Sequence, residues 1–294
     1  MTGRIVVGID GSPQSGTALE WAVARARLGG EQLELVNVYS LTPALDLYGY
    51  GLTGGQPADW LIEFSQQVLD AAAARVRELA PELTCTLTST MGQPAFTLAE
   101  VSEGADAVVV GRRGLGGAAS VLMGSVSNRL TVEAKCALVV VGEGDLPTTG
   151  PIVVGVDGSE FGVNALRYAI GEATVRKTSV RAVTAYHVLH HPALVADPEL
   201  VARMRADVET EATDTIRQAL DETEGPGSTA ADVERVAVEG RAAEAILGQA
   251  GDAQLIVVGT HGKGLVRRVL LGSVSRQILN DADRPVAVID RPDS

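Results

Sequence analysis

The feature that most constrains this chain is that it is written twice. The stretch Ile5-Val6-Val7-Gly8-Ile9-Asp10-Gly11-Ser12 returns as Ile152-Val153-Val154-Gly155-Val156-Asp157-Gly158-Ser159, and Tyr39 is answered by Tyr186. Later in each copy comes the spacing Gly-x2-Gly-x9-Gly-Ser. It is carried by Gly111, Gly114, Gly124 and Ser125 in the first copy and by Gly259, Gly262, Gly272 and Ser273 in the second. A single net insertion aligns all these landmarks, so the chain is a tandem duplication. Its 294 residues then divide into two domains of ordinary size, 1–143 and 150–294, joined by a linker through Pro147-Thr148-Thr149.

Each copy alternates short apolar runs with helical patterns. In the first, Arg4 to Gly8 is a buried strand, and Ser12 and Pro13 are the N-cap and first residue of a helix stopped by Gly29-Gly30. Leu33 to Tyr39 is a second strand, followed by a long loop from Leu41 to Pro57. A helix from Asp59 to Ala80, a strand from Leu83 to Met91 and a helix from Gly92-Gln93-Pro94 to about Glu103 come next. Ala107 to Val110 is the fourth strand, a helix opens at Ser125 as N-cap, and Leu138 to Val141 is the last strand. Because aromatic residues are only 3% of the chain, the core is built from Val, Leu, Ile and Ala, which suits buried parallel strands under Ala-rich helices. The order β-α-β-α-β-α-β-α-β with right-handed crossovers gives an α/β fold, one doubly wound five-stranded parallel sheet per copy.

Net charge is −13, shared almost evenly between the copies, which argues against nucleic acid or an anionic membrane as partner. Ile5-Val6-Val7 is too short for a secretory signal core, and no apolar run approaches membrane length. Cys85 and Cys136 form no disulfide or metal pattern and read as small core residues. The expected location is the cytoplasm.

With such a charge, an anionic ligand needs local donors, and the glycine pattern offers them. Gly111-Arg112-Arg113-Gly114-Leu115-Gly116-Gly117 leaves the fourth strand, and Gly259-Thr260-His261-Gly262-Lys263-Gly264 does the same in the second copy. Glycines permit positive φ and let backbone N–H groups approach an anion, while Ser125 and Ser273 sit where a helix dipole favours negative charge. If the strand order is 3-2-1-4-5, Asp10 and this loop flank the switch point where such sheets bind ligands. Asp10 would then reach ribose or base while the loop holds phosphates. The plainer alternative is a tight turn with capped helices, and for Asp10 a capping role.

Two Val-Gly-x-Asp-Gly-Ser strand ends, each with its Gly-x2-Gly-x9-Gly-Ser loop, resemble the universal stress protein family in its tandem-domain form. The resemblance covers nearly the whole chain and implies two Rossmann-like domains and, with this glycine pattern, ATP binding, with Mg²⁺ as a possible companion. It also implies a stress-response regulator, homodimerisation and an unidentified protein partner. By position, it implies nucleotide contacts at Gly8, Asp10, Val38, Gly111, Arg112, Arg113, Gly114, Leu115, Gly116, Gly117, Gly124, Ser125, Val126 and Ser127. In the second copy the corresponding contacts are Gly155, Asp157, Ala185, Gly259, Thr260, His261, Gly262, Lys263, Gly264, Gly272, Ser273, Val274 and Ser275. Ala185 stands where the first copy has Val38, which trims apolar contact with a base.

The competing reading from another class is a slow ATP hydrolase or nucleotidyl-transfer enzyme on the same fold. It would need a carboxylate for Mg²⁺ and a group to position the nucleophile. Gly262-Lys263 is followed by Gly264, so there is no Walker A sequence. His187, His190 and His191 cluster in one loop, and His261 has Arg113 at the matching position, so histidine supplies no base common to both copies. The expectation is a regulator, not an enzyme. A scaffold with empty pockets is the third reading.

Overall fold

Strands that are apolar along their whole length must be covered on both faces, and these are: Val6, Val7, Val108, Val109, Val153 and Val154 are fully buried. A computed structural model describes residues 3–40, 58–115, 123–143, 146–188, 198–223, 232–262 and 271–290. It divides into two compact units, Met1–Gly144 and Asp145–Ser294.

Unit 1 runs β1 (Arg4–Gly8), α1 (Pro13–Gly29), β2 (Gln32–Tyr39), α2 (Ala58–Leu79), β3 (Cys85–Met91), α3 (Pro94–Val101), β4 (Ala107–Gly111), α4 (Ser125–Glu133) and β5 (Ala137–Val141). Its strands lie in the order β3-β2-β1-β4-β5. Every pairing is parallel; Val7 stands opposite Leu35 on one side and Val109 on the other. Unit 2 repeats the plan as β6 (Ile152–Gly155), α5 (Glu160–Arg176), β7 (Val180–Tyr186), α6 (Pro198–Thr223), β8 (Val233–Glu239), α7 (Ala242–Gly248), β9 (Leu255–Gly259), α8 (Ser273–Asp281) and β10 (Val286–Ile289). Its order is β8-β7-β6-β9-β10, again all parallel. The doubly wound α/β fold and the strand order expected from the sequence are both present.

Local chemistry accounts for the element ends. Ser12 caps α1, its Oγ accepting from the Ser15 N–H at 3.2 Å with Pro13 as the first helical residue, and Ser159 does the same for α5 through Gly162. Gly30 ends α1 in the left-handed region, whereas α5 ends there on Lys177, at φ 54°. Two expectations need correction. The third strand starts at Cys85 rather than Leu83. The caps of α4 and α8 are Gly124 and Gly272, with Ser125 and Ser273 one position inside and no side-chain cap bond. Glycine takes the cap because the chain there must come close to the preceding loop: a Cβ on Gly124 would stand 3.2 Å from the Arg112 carbonyl oxygen. The loop expected at Leu41 to Pro57 lies outside the described residues. No helix among the described residues is long and apolar enough to cross a membrane.

Candidate functional site

In unit 1 the sheet changes winding direction between β1 and β4, and the crevice at their carboxyl ends is where a ligand would sit. Asn37 Nδ2 donates to the Ile9 carbonyl at 2.6 Å and fixes the end of β1. Asp10 follows, and both of its oxygens are engaged. Oδ1 accepts from the Ser12 N–H at 2.9 Å and Oδ2 from the Leu115 N–H at 3.0 Å. The carboxylate therefore ties the turn before α1 to the loop after β4. It does not cap α1; Ser12 does that.

This clamp explains the glycine spacing by close approach and not by φ. A Cβ on Gly114 would collide with the Asp10 carboxylate, and one on Gly111 would stand 2.9 Å from the Gln14 backbone. Neither glycine has a positive φ; the positive values near the site fall at Gly11 and Gly158, at 84° and 73°, in the Asp-Gly-Ser turns. The loop is tied down from its other end as well. Arg112 donates its N–H to the Val141 carbonyl at 2.8 Å, and its own carbonyl accepts from Gly124 N–H and Ser127 Oγ, each at 2.8 Å. Ser127 is thus buried and spent on the loop backbone, while Ser125 is exposed. Arg113 N–H donates to Gln14 Oε1 at 2.7 Å, Gln14 Nε2 donates to Glu143 at 2.5 Å, and Arg113 Nη2 pairs with the same carboxylate at 3.4 Å. Two N–H groups expected to face an anion, those of Arg113 and Leu115, are held by the unit's own side chains. Gly8 ends β1, Val38 is the last but one residue of β2 and Val126 the second of α4; Leu115 is largely exposed, and Gly116 and Gly117 lie outside the described residues.

Unit 2 keeps the frame. Asp157 Oδ1 accepts from the N–H and Oγ of Ser159 at 3.0 and 2.5 Å, and a Cβ on Gly262 would stand 2.6 Å from Asp157 Oδ2. A Cβ on Gly259 would stand 2.7 Å from Phe161 Cβ, the residue matching Gln14. Ser275 Oγ donates to the Gly259 carbonyl at 2.6 Å, and Thr184 Oγ1 donates to the Val156 carbonyl at 2.7 Å, replacing the bond that Asn37 makes in unit 1. Against this frame opens a cavity of about 380 Å³. It gathers Gly155, Asp157, Ala185, Gly259, His261, Gly262, Gly272, Val274 and Ser275 from the expected set. Thr260 lies behind that wall, buried, with Oγ1 donating to Asp290 at 2.6 Å, and Ser273 faces solvent. Lys263 and Gly264 lie outside the described residues.

Several cavity residues were not found from the sequence. Val208, Glu211, Ala212 and Thr215 of α6 form one wall, Ala242 and Ile246 of α7 another, and Tyr186 closes the end of β7. Positions 208, 212 and 215 share one helical face, but nothing in that spacing separates a cavity wall from core. Desolvation pushes the Tyr186 phenol above its usual range, helped by the negative charges of Glu209 and Glu239. Among the described residues no cluster of His, Cys, Asp and Glu could hold a metal ion.

The universal stress protein family pattern matches residues 1–142 and again 148–290, one copy per unit. The chain belongs to the universal stress protein family. A universal stress protein of Mycobacterium tuberculosis is 32% identical, over 98% of this chain and 95% of its own length. A second from that organism is 31% identical over 97% of this chain and 96% of its own. The crystal structure of a universal stress protein from Archaeoglobus fulgidus, 20% identical, superposes with a TM-score of 0.68 over 98% of both chains and shares the tandem fold. In both universal stress protein copies of this chain the carboxylate after the first strand packs against a loop glycine that tolerates no Cβ.

Proposed function

We propose that this protein binds ATP, one molecule per unit at the crevice between β1 and β4 and its counterpart between β6 and β9. In this reading it works as a stress-response regulator whose bound state is read by a partner, not as a catalyst. The observation that carries this is duplicated: a carboxylate at the end of the first strand packs against a glycine of the loop in both copies, and in unit 1 it also accepts from the loop N–H of Leu115. Glycines at which any side chain would strike that carboxylate are what close backbone packing requires, and such packing lines the rim of the crevice with peptide groups.

Unit 2 is the better formed of the two for a nucleotide. Its cavity falls within the range of small-molecule sites, and its walls are apolar toward β7 and α7 and polar toward the loop. His261 contributes a buried Nε2 that has no hydrogen-bond partner among the described residues, a cost of about 1–3 kcal/mol that a ligand would remove. In unit 1 a phosphate would have to replace Gln14 Oε1 and Asp10 Oδ2 on the loop N–H groups, so weaker binding is expected there. Self-association, a cytoplasmic location and the possible Mg²⁺ belong to the same reading.

The test is direct. Small molecules released from the purified, denatured protein are identified by mass spectrometry, and ATP is titrated calorimetrically into nucleotide-free protein. Up to two equivalents of ATP are expected, with unit 2 filled first; no heat and no released nucleotide would overturn the reading. Turnover of ATP with and without Mg²⁺ separates a regulator from a hydrolase.

A further inference from the structure

The two loops share their spacing of glycines but not their charge: where unit 1 has Arg113, unit 2 has His261. The surroundings of His261 settle which of its nitrogens carries the proton. Thr260 Oγ1 donates to Asp290 Oδ1 at 2.6 Å, and an ionised carboxylate can only accept, so the single hydroxyl hydrogen is committed there. The same oxygen lies 3.1 Å from His261 Nδ1 and must accept, which puts the ring proton on Nδ1. In the neutral ring Nε2 is then a bare lone pair. It is buried, it has no partner among the described residues, and the ring lines the cavity beside Gly262 while leaning on Phe161 at 5.2 Å.

A lone pair repels a phosphate oxygen, whereas an imidazolium N–H donates to it. We infer that His261 makes unit 2 a proton-dependent phosphate site: the anion is gripped when the ring takes up a proton at Nε2, and released when it loses it. Arg113, which stays charged throughout, leaves unit 1 without this dependence. The other groups around the ring sharpen the contrast. Asp290 stands behind Thr260, Asp157 at Gly262, and Glu211 and Tyr186 across the cavity on α6 and β7. All are neutral or negative, so with a neutral His261 nothing among them attracts a phosphate. On α8, Arg276 turns its guanidinium to the Leu271 carbonyl, and Lys263 lies outside the described residues. The inference rests on the proposed phosphate site and adds its regulation.

The sign follows from linkage. A bound anion favours the protonated ring, so affinity is greatest at low pH and falls as pH rises and the ring gives up its proton. The steepest change a single proton allows is roughly tenfold per pH unit. ATP's own terminal phosphate titrates nearby, at about 6, so the readout is the difference between wild type and His261→Gln.

The experiment titrates ATP into the full chain at pH 5.5, 6.5, 7.5 and 8.5, with His261→Gln and His261→Arg in parallel. In the wild type one site should weaken roughly tenfold more than the other across that range. Both variants, carrying a permanent donor, should lose that difference. Long-range ¹⁵N NMR of the ligand-free protein at high pH should show His261 protonated at Nδ1, with its titration midpoint moving upward when ATP is added. Two sites with parallel pH profiles, a His261→Gln variant that keeps the wild-type profile, or a ring protonated at Nε2 would each overturn the inference while leaving the nucleotide site standing. Absence of ATP binding at every pH would overturn the site itself and the inference with it.

Discussion

The two glycine loops keep one spacing of glycines with different chemistry at the mouth. In unit 1 Gln14 reaches across to the Arg113 N–H and to Glu143, so the loop is closed by amide, guanidinium and carboxylate from its own chain. In unit 2 Phe161 fills the position of Gln14, His261 that of Arg113, and a Thr260–Asp290 bond fixes the histidine from behind. What has been held constant is the clamp of Asp10 or Asp157 on a glycine that tolerates no Cβ. Side chains that point away from that clamp have been free to diverge. The same freedom shows farther off: Glu34 on β2 pairs with Arg4, while the matching Arg181 on β7 pairs with Glu234 and Asp252, so the charge is inverted and the ion pairing kept.

If the clamp is what the copies share, breaking it should give the largest effect. Gly114→Val and Gly262→Val each drive a branched side chain into the clamp carboxylate. Each should cost its own unit about 1–3 kcal/mol of stability and one equivalent of bound ATP, leaving the other unit intact. Calorimetric stoichiometry checks the binding; retention of both equivalents in both variants would disprove the site. Asp10→Asn tests the same clamp more gently. An amide oxygen can accept from Ser12 or Leu115, but its NH₂ end faces the other N–H, so about 1–3 kcal/mol should be lost along with affinity in unit 1. Both tryptophans, Trp21 and Trp60, belong to unit 1, so urea unfolding followed by their fluorescence reports that unit, while circular dichroism reports both.

Smaller changes probe where the copies differ. Gln14→Ala should cost about 1 kcal/mol in unit 1 by freeing the Arg113 N–H, and it should tighten ATP there if Gln14 competes with phosphate. Weaker ATP binding in that variant would show that Gln14 serves the ligand instead. Lys177→Gly gives unit 2 the helix end that unit 1 has in Gly30. Relief of the left-handed strain outweighs the added freedom of the unfolded chain, and a gain of about 0.5 kcal/mol is expected by circular dichroism. Asp252 gives the smallest effect. Hydrogen bonding to Arg181 holds its carboxyl below the usual range. Its contribution is therefore present above the usual carboxylate range and fades as pH falls through the lowered value. Because the pair is exposed, Asp252→Asn should remove no more than about 0.5 kcal/mol near neutral pH and nothing in strong acid.

The repeated strand ends and the paired glycine spacings were enough, read as letters, to give the duplication, the doubly wound sheets and the crevice. Those are matters of periodicity and of residues that punctuate the backbone, and both are local. What the glycines are for was not local. The sequence suggested positive φ and exposed N–H groups; the fold shows Gly114 and Gly262 pressed against carboxylates from residues about a hundred positions earlier, and the caps of α4 and α8 moved onto Gly124 and Gly272. Nor could spacing show that Gln14 and Glu143 meet over Arg113, or that Asp290 turns Thr260 and so settles the proton on His261. Such contacts depend on where α1 and the ends of β5 and β10 come to rest against the loop, and that position is decided by packing across the whole sheet.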